Sequence, residues 1–167
     1  MDLNPEDILK SAELARQATA TQAPQALSTV LTFFWGRERY ALPLEAAKEV
    51  VAVRGVTPIP GLPGHLLGAT NYRGEVIAVF DARPLAGMPP GLVHPHSYMI
   101  VLDVDGEPAG MLVDGLGDIQ EIPAVSGSDW QPDDTDLLIS VDLPDGGLLP
   151  VLDVTELVAR LRPMEAK

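Results

Sequence analysis

The chain has 167 residues, enough for one domain with a substantial core or for two small, closely associated halves. Eleven basic and 24 acidic residues give a net charge of −13, which disfavours nucleic acid and anionic membrane surfaces as partners. The absence of cysteine excludes disulfides, thiolate metal sites and cysteine nucleophiles. Because the first residues are acidic and no apolar run approaches about 18 residues, we predict a cytoplasmic protein.

Residues 1–26 are predicted to form a leader outside the main domain. Asn4 is a favourable N-cap, and the weak apolar face that follows it predicts a short helix. The stretch 19–25 has no apolar periodicity and is typical of a linker. We therefore place the folded domain at residues 27–161 and a short tail at residues 162–167.

Short β-type runs separated by turn residues dominate the predicted domain. The predicted strands are Ser28–Trp35, Arg39–Pro43, Lys48–Arg54, Leu66–Tyr72, Glu75–Phe80, Ser97–Val104, Glu107–Val113, Gly117–Ile122, Leu137–Val141 and Leu148–Leu152. Only single-turn helices are predicted between them, whereas βαβ units need helices of about 10–15 residues, so the pattern favours a mainly β fold of two small barrels. One sustained helix is predicted near the C-terminus, at Asp153–Leu161.

Two pairs of segments suggest an internal repeat. Gly74–Asp81 resembles Gly146–Asp153 at an offset of 72 positions, and Ala41–Glu45 resembles Gly110–Asp114 at an offset of 69. These matches predict a pseudo-duplicated β architecture. The alternative is that any two strand-turn-helix units look alike.

Each copy of the longer repeat ends in an aspartate, which is a favoured residue at helix N-termini. Asp81 and Asp153 are therefore predicted to cap the segments 82–87 and 154–161. Glu156 follows Asp153 by three residues and completes the pattern of a capping box.

Candidate catalytic and metal-binding patterns are weak. His94 and His96 could place two imidazoles near one metal, with Asp114 and Asp118 completing a hydrolytic centre. The third histidine, His65, belongs to a different loop, and the spacing does not match a zinc site. We predict no catalytic residue, no metal site and no cofactor, and keep a metal-dependent hydrolase as the disfavoured alternative.

Other polar motifs are interpreted as turns or surface loops. Asp105-Gly106 is typical of a hairpin turn, and Asp114-Gly115 ends the following strand. The acidic run 133–136 lacks the glycine and glutamate of an EF-hand loop. Ser126 is not part of a nucleophile elbow, and no phosphate-binding glycine loop is present.

The most informative local motif is a predicted hairpin tip at Arg73-Gly74. Its arms are Gly68–Tyr72 and Val76–Phe80, and Gly74 can adopt the positive φ that a tight turn requires. Arg73 is expected to project from this tip. Local sequence leaves two interpretations open, an ordinary solvated arginine and a binding residue.

Three segments, taken in chain order, carry a resemblance to a known family. They are Tyr40-Ala41-Leu42-Pro43-Leu44 with Ala47-Lys48-Glu49-Val50, then Thr57-Pro58-Ile59-Pro60 and Leu67-Gly68 leading to Asn71-Tyr72-Arg73-Gly74 and Val79-Phe80-Asp81, then Val113-Asp114-Gly115-Leu116-Gly117-Asp118-Ile119. Together they resemble the CheW family of adaptors in bacterial chemosensory arrays. The chain departs from the family pattern at Ala47, where valine is usual, at Tyr72, where an aliphatic residue is usual, and at Ala78, where proline is frequent.

This resemblance implies two packed, five-stranded SH3-like β-barrels with short helices and a C-terminal helix. It also implies a non-catalytic scaffold that couples chemoreceptors to the chemotaxis histidine kinase and is recruited to membrane-associated receptor arrays. A groove between the halves would take the cytoplasmic tip of a methyl-accepting chemoreceptor, and the barrel ends would take the kinase regulatory domain. The implied partner-binding residues are Ala47, Glu49, Gly68, Asn71, Arg73, Gly74 and Leu116. An adaptor of a surface-motility or type IV pilus system is the alternative.

Deletion of residues 1–23 is expected to change the free energy of unfolding by less than about 0.5 kcal/mol, because most helix stability comes from packing an apolar face and this face is weak. Thermal unfolding of the truncated and full-length chains would measure the difference. A large fall in melting temperature would mean that the leader docks on the domain.

Overall fold

Ten β-strands and one α-helix make up most of the chain that the computed structural model describes, residues 27–123 and 137–161. The strands are β1 Leu27–Trp35, β2 Glu38–Pro43, β3 Ala47–Ala52, β4 Leu66–Tyr72, β5 Glu75–Phe80, β6 Tyr98–Val104, β7 Glu107–Val113, β8 Gly115–Pro123, β9 Leu138–Asp142 and β10 Leu148–Leu152. The helix α1 is Val154–Leu161, and short 3-10 turns occupy Leu44–Ala46 and Pro84–Ala86. All ten predicted strands are confirmed. The predicted leader, the acidic run 133–136, Ser126 and the tail lie outside the described residues.

The strands form two five-stranded sheets. The first sheet has the order β8-β1-β2-β10-β9, and the second has the order β3-β6-β7-β5-β4. Among the described residues each sheet has two edge strands, β8 and β9 in the first and β3 and β4 in the second. The predicted barrels are therefore open rather than fully closed. An isolated backbone bridge between Thr57 and Ala69 brings the chain after β3 against β4 and partly closes the second sheet.

The two sheets have the same topology when β1 to β5 are matched with β6 to β10. Each sheet contains a hairpin, β1-β2 in the first and β6-β7 in the second. The second strand of the hairpin pairs in parallel with the last strand of one half, β2 with β10 and β7 with β5. That last strand pairs in turn with the strand that precedes it in the chain, β9 or β4. The parallel pair Val79 and Gly110 in the second sheet corresponds to Val151 and Ala41 in the first, at the offsets of 72 and 69 positions found in the sequence. Each sheet nevertheless combines strands from both halves of the domain, because β3 to β5 join β6 and β7 while β8 to β10 join β1 and β2.

Apolar side chains on both faces of the strands build three core clusters. One cluster lies within the first sheet and includes Val30 and Ala41, and another lies within the second sheet and includes Val101. The largest cluster takes residues from both sheets, among them Leu42 and Ile100. Because successive residues of a strand point to opposite faces, neighbours such as Ala41 and Leu42 serve different cores. This explains the continuous apolar run Met99–Leu102 in the interior strand β6.

A buried arginine joins the two sheets. Arg83, 7% exposed, places Nε 2.9 Å from Oδ1 of Asp81 and Nη1 2.9 Å from Oδ2 of Asp114. Asp81 follows β5 of the second sheet, and Asp114 also accepts a hydrogen bond of 2.6 Å from the N–H of Gly36, in the β1-β2 turn of the first sheet. The N–H of Gly91 donates to the other oxygen of Asp81 at 2.7 Å. The network therefore fixes the position of one sheet relative to the other.

The two predicted helix caps have different outcomes. Oδ1 of Asp153 accepts a hydrogen bond of 3.2 Å from the N–H of Glu156, as expected of an N-cap. The reciprocal half of the predicted capping box is wrong, since the Glu156 carboxylate instead binds Arg160 at 3.0 Å. The prediction for Asp81 is confirmed in part: the 3-10 turn begins only at Pro84 with Arg83 at its N-cap, but Oδ1 of Asp81 accepts a hydrogen bond of 3.0 Å from the backbone N–H of Arg83. The same oxygen also accepts a hydrogen bond from the Arg83 guanidinium.

One glycine is required by close backbone approach. Gly68 in β4 has a φ of 146°, and a Cβ at this position would lie 2.0 Å from the carbonyl oxygen of Thr57. The space that a side chain would need is taken by the backbone segment that bridges to Ala69. Gly68, predicted from the sequence as a partner-binding residue, therefore has a packing role in closing the second sheet.

We expect Asp114→Asn to lower the free energy of unfolding by roughly 2 kcal/mol at pH 7, because it weakens a hydrogen-bonded ion pair. Burial alone would raise the pKa of Asp114, but the Gly36 N–H and the Arg83 guanidinium outweigh burial and lower it. The unfolded value is about 3.9, so this contribution is complete above about pH 5 and is lost as the pH falls through the lower folded pKa.

Urea unfolding at pH 7 and at acid pH would test this dependence. The difference in the free energy of unfolding between the variant and the natural chain should decrease below about pH 4. The exposed strand residue Asp142 supplies the control Asp142→Asn, which should have little effect at either pH. A gap that stays constant with pH would contradict the ion-pair role.

Gly68→Ala should destabilise the domain by about 2–4 kcal/mol, because the new methyl group meets backbone atoms in a strained conformation. Gly74→Ala is the matched comparison, since Gly74 has a φ of 80° and a Cβ added there would meet only open space. It should cost only about 1 kcal/mol of conformational strain. Equal losses in urea unfolding would rule out the close approach at Gly68 as the cause.

Candidate functional site

The β4-β5 hairpin ends in a tight turn whose two central residues both have positive φ. Arg73 has a φ of 50° and Gly74 a φ of 80°, a combination that matches the twist of a two-residue hairpin. The Oδ1 atom of Asn71 accepts a hydrogen bond of 3.1 Å from the Gly74 N–H. The predicted tip is confirmed, and the side chain of Asn71 stabilises it from within.

The Arg73 side chain folds back towards β3, the opposite edge strand of the second sheet. Its Nη2 lies 2.8 Å from Oε2 of Glu49, although 72% of the side chain is exposed. The Tyr72 hydroxyl donates a hydrogen bond to the same oxygen of Glu49, and the Arg73 guanidinium lies 5.7 Å from the centre of the Tyr72 ring. A cation, a carboxylate and an aromatic ring thus meet beside the tip.

This group borders a cleft of about 710 Å³ between β3 and the β4-β5 hairpin. Apolar side chains of Val51, Ala52 and Met99 line part of it. Its other lining residues are Glu49, Arg54, Gly55, Thr70, Asn71, Tyr72 and Arg73. Since β3 and β4 are the two edge strands of the second sheet, the cleft lies where the sheet does not close. An apolar surface beside fixed polar groups is typical of a binding site.

Electrostatics fix the ionisation state of the polar group. The hydrogen bond from Arg73, followed by that from Tyr72, lowers the pKa of the Glu49 carboxyl. The hydrogen bond to Glu49 is the main cause that raises the pKa of the Tyr72 phenol. At neutral pH Glu49 is therefore a carboxylate and Tyr72 keeps the proton that it donates.

The predicted site residues do not all come together. Glu49, Asn71 and Arg73 line the cleft, with Gly74 next to them in the turn. Ala47 and Leu116 lie outside the cleft lining and pair with Leu102 in the second sheet and Phe33 in the first. These two residues occupy equivalent positions of the two sheets, because 47 and 116, like 33 and 102, differ by 69. That one groove is lined by Ala47, Glu49, Arg73 and Leu116 together therefore remains a prediction.

Several residues of the cleft are not identified as site residues from the sequence. In the sequence Tyr72 is only a departure from the family pattern, and Val51 and Met99 belong to strands whose register cannot be read from the motifs. The ion-pair partner of Arg73 lies 24 positions away in the chain. The missing signal is the register of β3 against its neighbours, which only the fold supplies.

The residues of the disfavoured metal centre are separated or engaged elsewhere. Nε2 of His94 lies 3.3 Å from Oδ1 of Asp114, whose other oxygen binds Arg83. The Asp118 carboxylate accepts a hydrogen bond of 2.8 Å from Thr32. Within residues 27–123 and 137–161, no group of three or more histidine, aspartate or glutamate side chains could hold a metal ion.

No helix in the described part of the chain is long and apolar enough to cross a membrane.

Comparison with known proteins gives consistent relatives. A chemotaxis protein CheW of Rhizobium meliloti is 30% identical over 103 residues, which cover 62% of this chain and 64% of that protein. The chain thus spans somewhat less than two thirds of this relative. A chemotaxis protein CheW of Helicobacter pylori is 25% identical over 157 residues, covering 89% of this chain and 93% of that protein. Protein FrzA of Myxococcus xanthus is 28% identical over 88 residues, covering 53% of this chain and 55% of that protein.

A solved structure shows the same fold. The crystal structure of the scaffolding protein TtCheW from Thermoanaerobacter tengcongensis matches with a TM-score of 0.63 and 24% identity, over 77% of this chain and 86% of that one. The family model described as the CheW-like domain matches residues 29–162, a range that takes in nearly all of the ten strands and the whole helix. The chain belongs to the CheW-like domain family.

Proposed function

We propose that this protein is a non-catalytic adaptor that couples chemoreceptors to the chemotaxis histidine kinase. The observation that carries the proposal is the Arg73 guanidinium, held beside an apolar cleft by Glu49 and Tyr72 on a hairpin tip. Relatives named as chemotaxis proteins and a structural neighbour named as a scaffolding protein support it.

The cleft offers two kinds of contact to a receptor tip. Apolar side chains of the tip would pack against Val51 and Met99, where burial supplies most of the binding energy. Arg73 uses Nη2 for Glu49, so its other N–H groups are available to carboxylates or main-chain carbonyls of the receptor. Rigid strands on both sides of the cleft keep these contacts in register.

Coupling depends on binding two partners at once. The receptor would contact the second sheet at the cleft, and the kinase regulatory domain would contact the ends of the sheets. The Asp81–Arg83–Asp114 network fixes the angle between the sheets, so both partners would be held in one geometry. Such multivalent binding increases effective concentration without any chemical step.

The similarity to Protein FrzA, at 28% identity like that of several CheW relatives, supports a second candidate. In this alternative the chain serves a chemosensory system for surface motility or type IV pili. The same cleft and tip would be used, with a different receptor. Gene neighbourhood would distinguish the two.

Arg73→Ala is expected to leave the melting temperature nearly unchanged and to weaken binding of a receptor-tip fragment by roughly tenfold or more, because one charged anchor is lost. Binding of the kinase regulatory domain should be unchanged, since that contact lies elsewhere. Two titrations of the same folded variant, one against each partner, make the measurement.

Arg39→Ala is the matched control, because Arg39 is an exposed arginine on β2 of the other sheet. It should not affect receptor binding. Unchanged affinity of Arg73→Ala for both partners would refute the site assignment. Equal losses for both partners would indicate a general disturbance of the fold rather than a receptor contact.

A further inference from the structure

Tyr72 and Arg73 are neighbours in the chain, yet both reach the same carboxylate oxygen, Oε2 of Glu49. Successive side chains of a regular strand point to opposite faces, so two adjacent residues do not normally share a partner. The positive φ of Arg73 breaks this alternation and returns its side chain over the Tyr72 ring. The turn conformation therefore creates the three-residue group.

The phenol changes what the exposed ion pair can do. An exposed arginine and glutamate without further contacts hold no fixed geometry and add little stability. Here the hydroxyl of Tyr72 fixes the carboxylate of Glu49, and the ring lies beneath the guanidinium. Both charged groups are therefore held before a partner arrives, which reduces the entropy lost on binding.

The shared oxygen also leaves a defined pattern of free groups. Oε2 of Glu49 accepts the hydrogen bond from Tyr72 and forms the ion pair with Nη2 of Arg73, whereas Oε1 has no hydrogen bond to the described part of the chain. The remaining N–H donors of Arg73 lie beside Oε1 of Glu49. The edge of the cleft therefore presents one fixed acceptor and several fixed donors.

Helical hairpins carry the complementary groups at their tips. The last turn of the first helix has carbonyl groups without intrahelical partners, and the first turn of the second helix has unpaired N–H groups. The carbonyls match the free donors of Arg73, and the N–H groups match Oε1 of Glu49. Recognition would thus use main-chain groups as well as side chains.

We propose that Tyr72 is the positioning residue that sets the specificity of the cleft for the tip of a helical hairpin. It acts through Glu49: by occupying Oε2, its hydroxyl aims Oε1 and the Arg73 guanidinium at main-chain groups of the tip. This inference rests on the proposed function, because the helical hairpin is the receptor tip of that function.

The decisive variant is Tyr72→Phe, which keeps the ring and removes the hydroxyl. It should weaken binding of a receptor-tip fragment from the source organism by roughly tenfold or more, the effect of one hydrogen bond to a charged group. On a Glu49→Gln background the same substitution should cause less loss, because its partner has changed. The half-buried tyrosine on β6 supplies the control Tyr98→Phe, which should bind normally.

A second readout does not depend on the receptor. The carboxyl pKa of Glu49, followed by carbon-13 NMR during an acid titration, should rise in Tyr72→Phe because a donor to the carboxylate is lost. Unchanged affinity together with an unchanged Glu49 pKa would overturn the inference, and so would equal losses of affinity with and without Glu49. If Arg73→Ala still weakens binding in those cases, the proposed function stands. If neither Arg73→Ala nor Tyr72→Phe weakens binding, both proposals fail.

Discussion

The contact of one buried guanidinium with two carboxylates determines how the two sheets sit together. Arg83 is nearly enclosed, and removing a charge from water is costly unless partners and hydrogen bonds replace the solvent. Asp81 comes from the second sheet, while Asp114 is anchored to the first through the Gly36 N–H. A buried guanidinium without partners would destabilise the fold. The sheets are therefore constrained to the arrangement that keeps both Asp81 and Asp114 in contact with Arg83. The apolar cluster that both sheets share then packs in that arrangement.

Local features of the fold could be predicted because their causes lie within a few residues. Asp105-Gly106 and Arg73-Gly74 form the tight turns that their composition indicates, with positive φ at each residue. The cap at Asp153 is correct for the same reason, since its hydrogen-bond partner is three residues away. The parallel alignment of β5 with β7 and of β10 with β2 also agrees with the offsets of the sequence repeat.

Long-range features could not be predicted, because they depend on which chain segments meet. Asp114 has the sequence context of a turn residue, yet Arg83 and Gly36 make it part of the joint between the sheets. Glu49 is a candidate site residue by resemblance, but its pairing with Arg73 and Tyr72 depends on the packing of β3 beside the hairpin. The sequence therefore indicates several residues of the candidate site, but their contacts and distances follow only from the folded structure.

The exchange of three strands between the halves makes the duplicated sequence a poor guide to units of stability. Neither half contains all the strands of either sheet: β3 to β7 are consecutive in the chain and form the second sheet, whereas the first sheet joins β1 and β2 to the distant strands β8 to β10. The chain must therefore close over the whole second sheet before the first sheet is complete, which slows folding and couples it across the domain. Unfolding should consequently be cooperative, with both sheets lost together. The chain therefore has the strand arrangement of two half-domains that have exchanged three strands and are joined end to end.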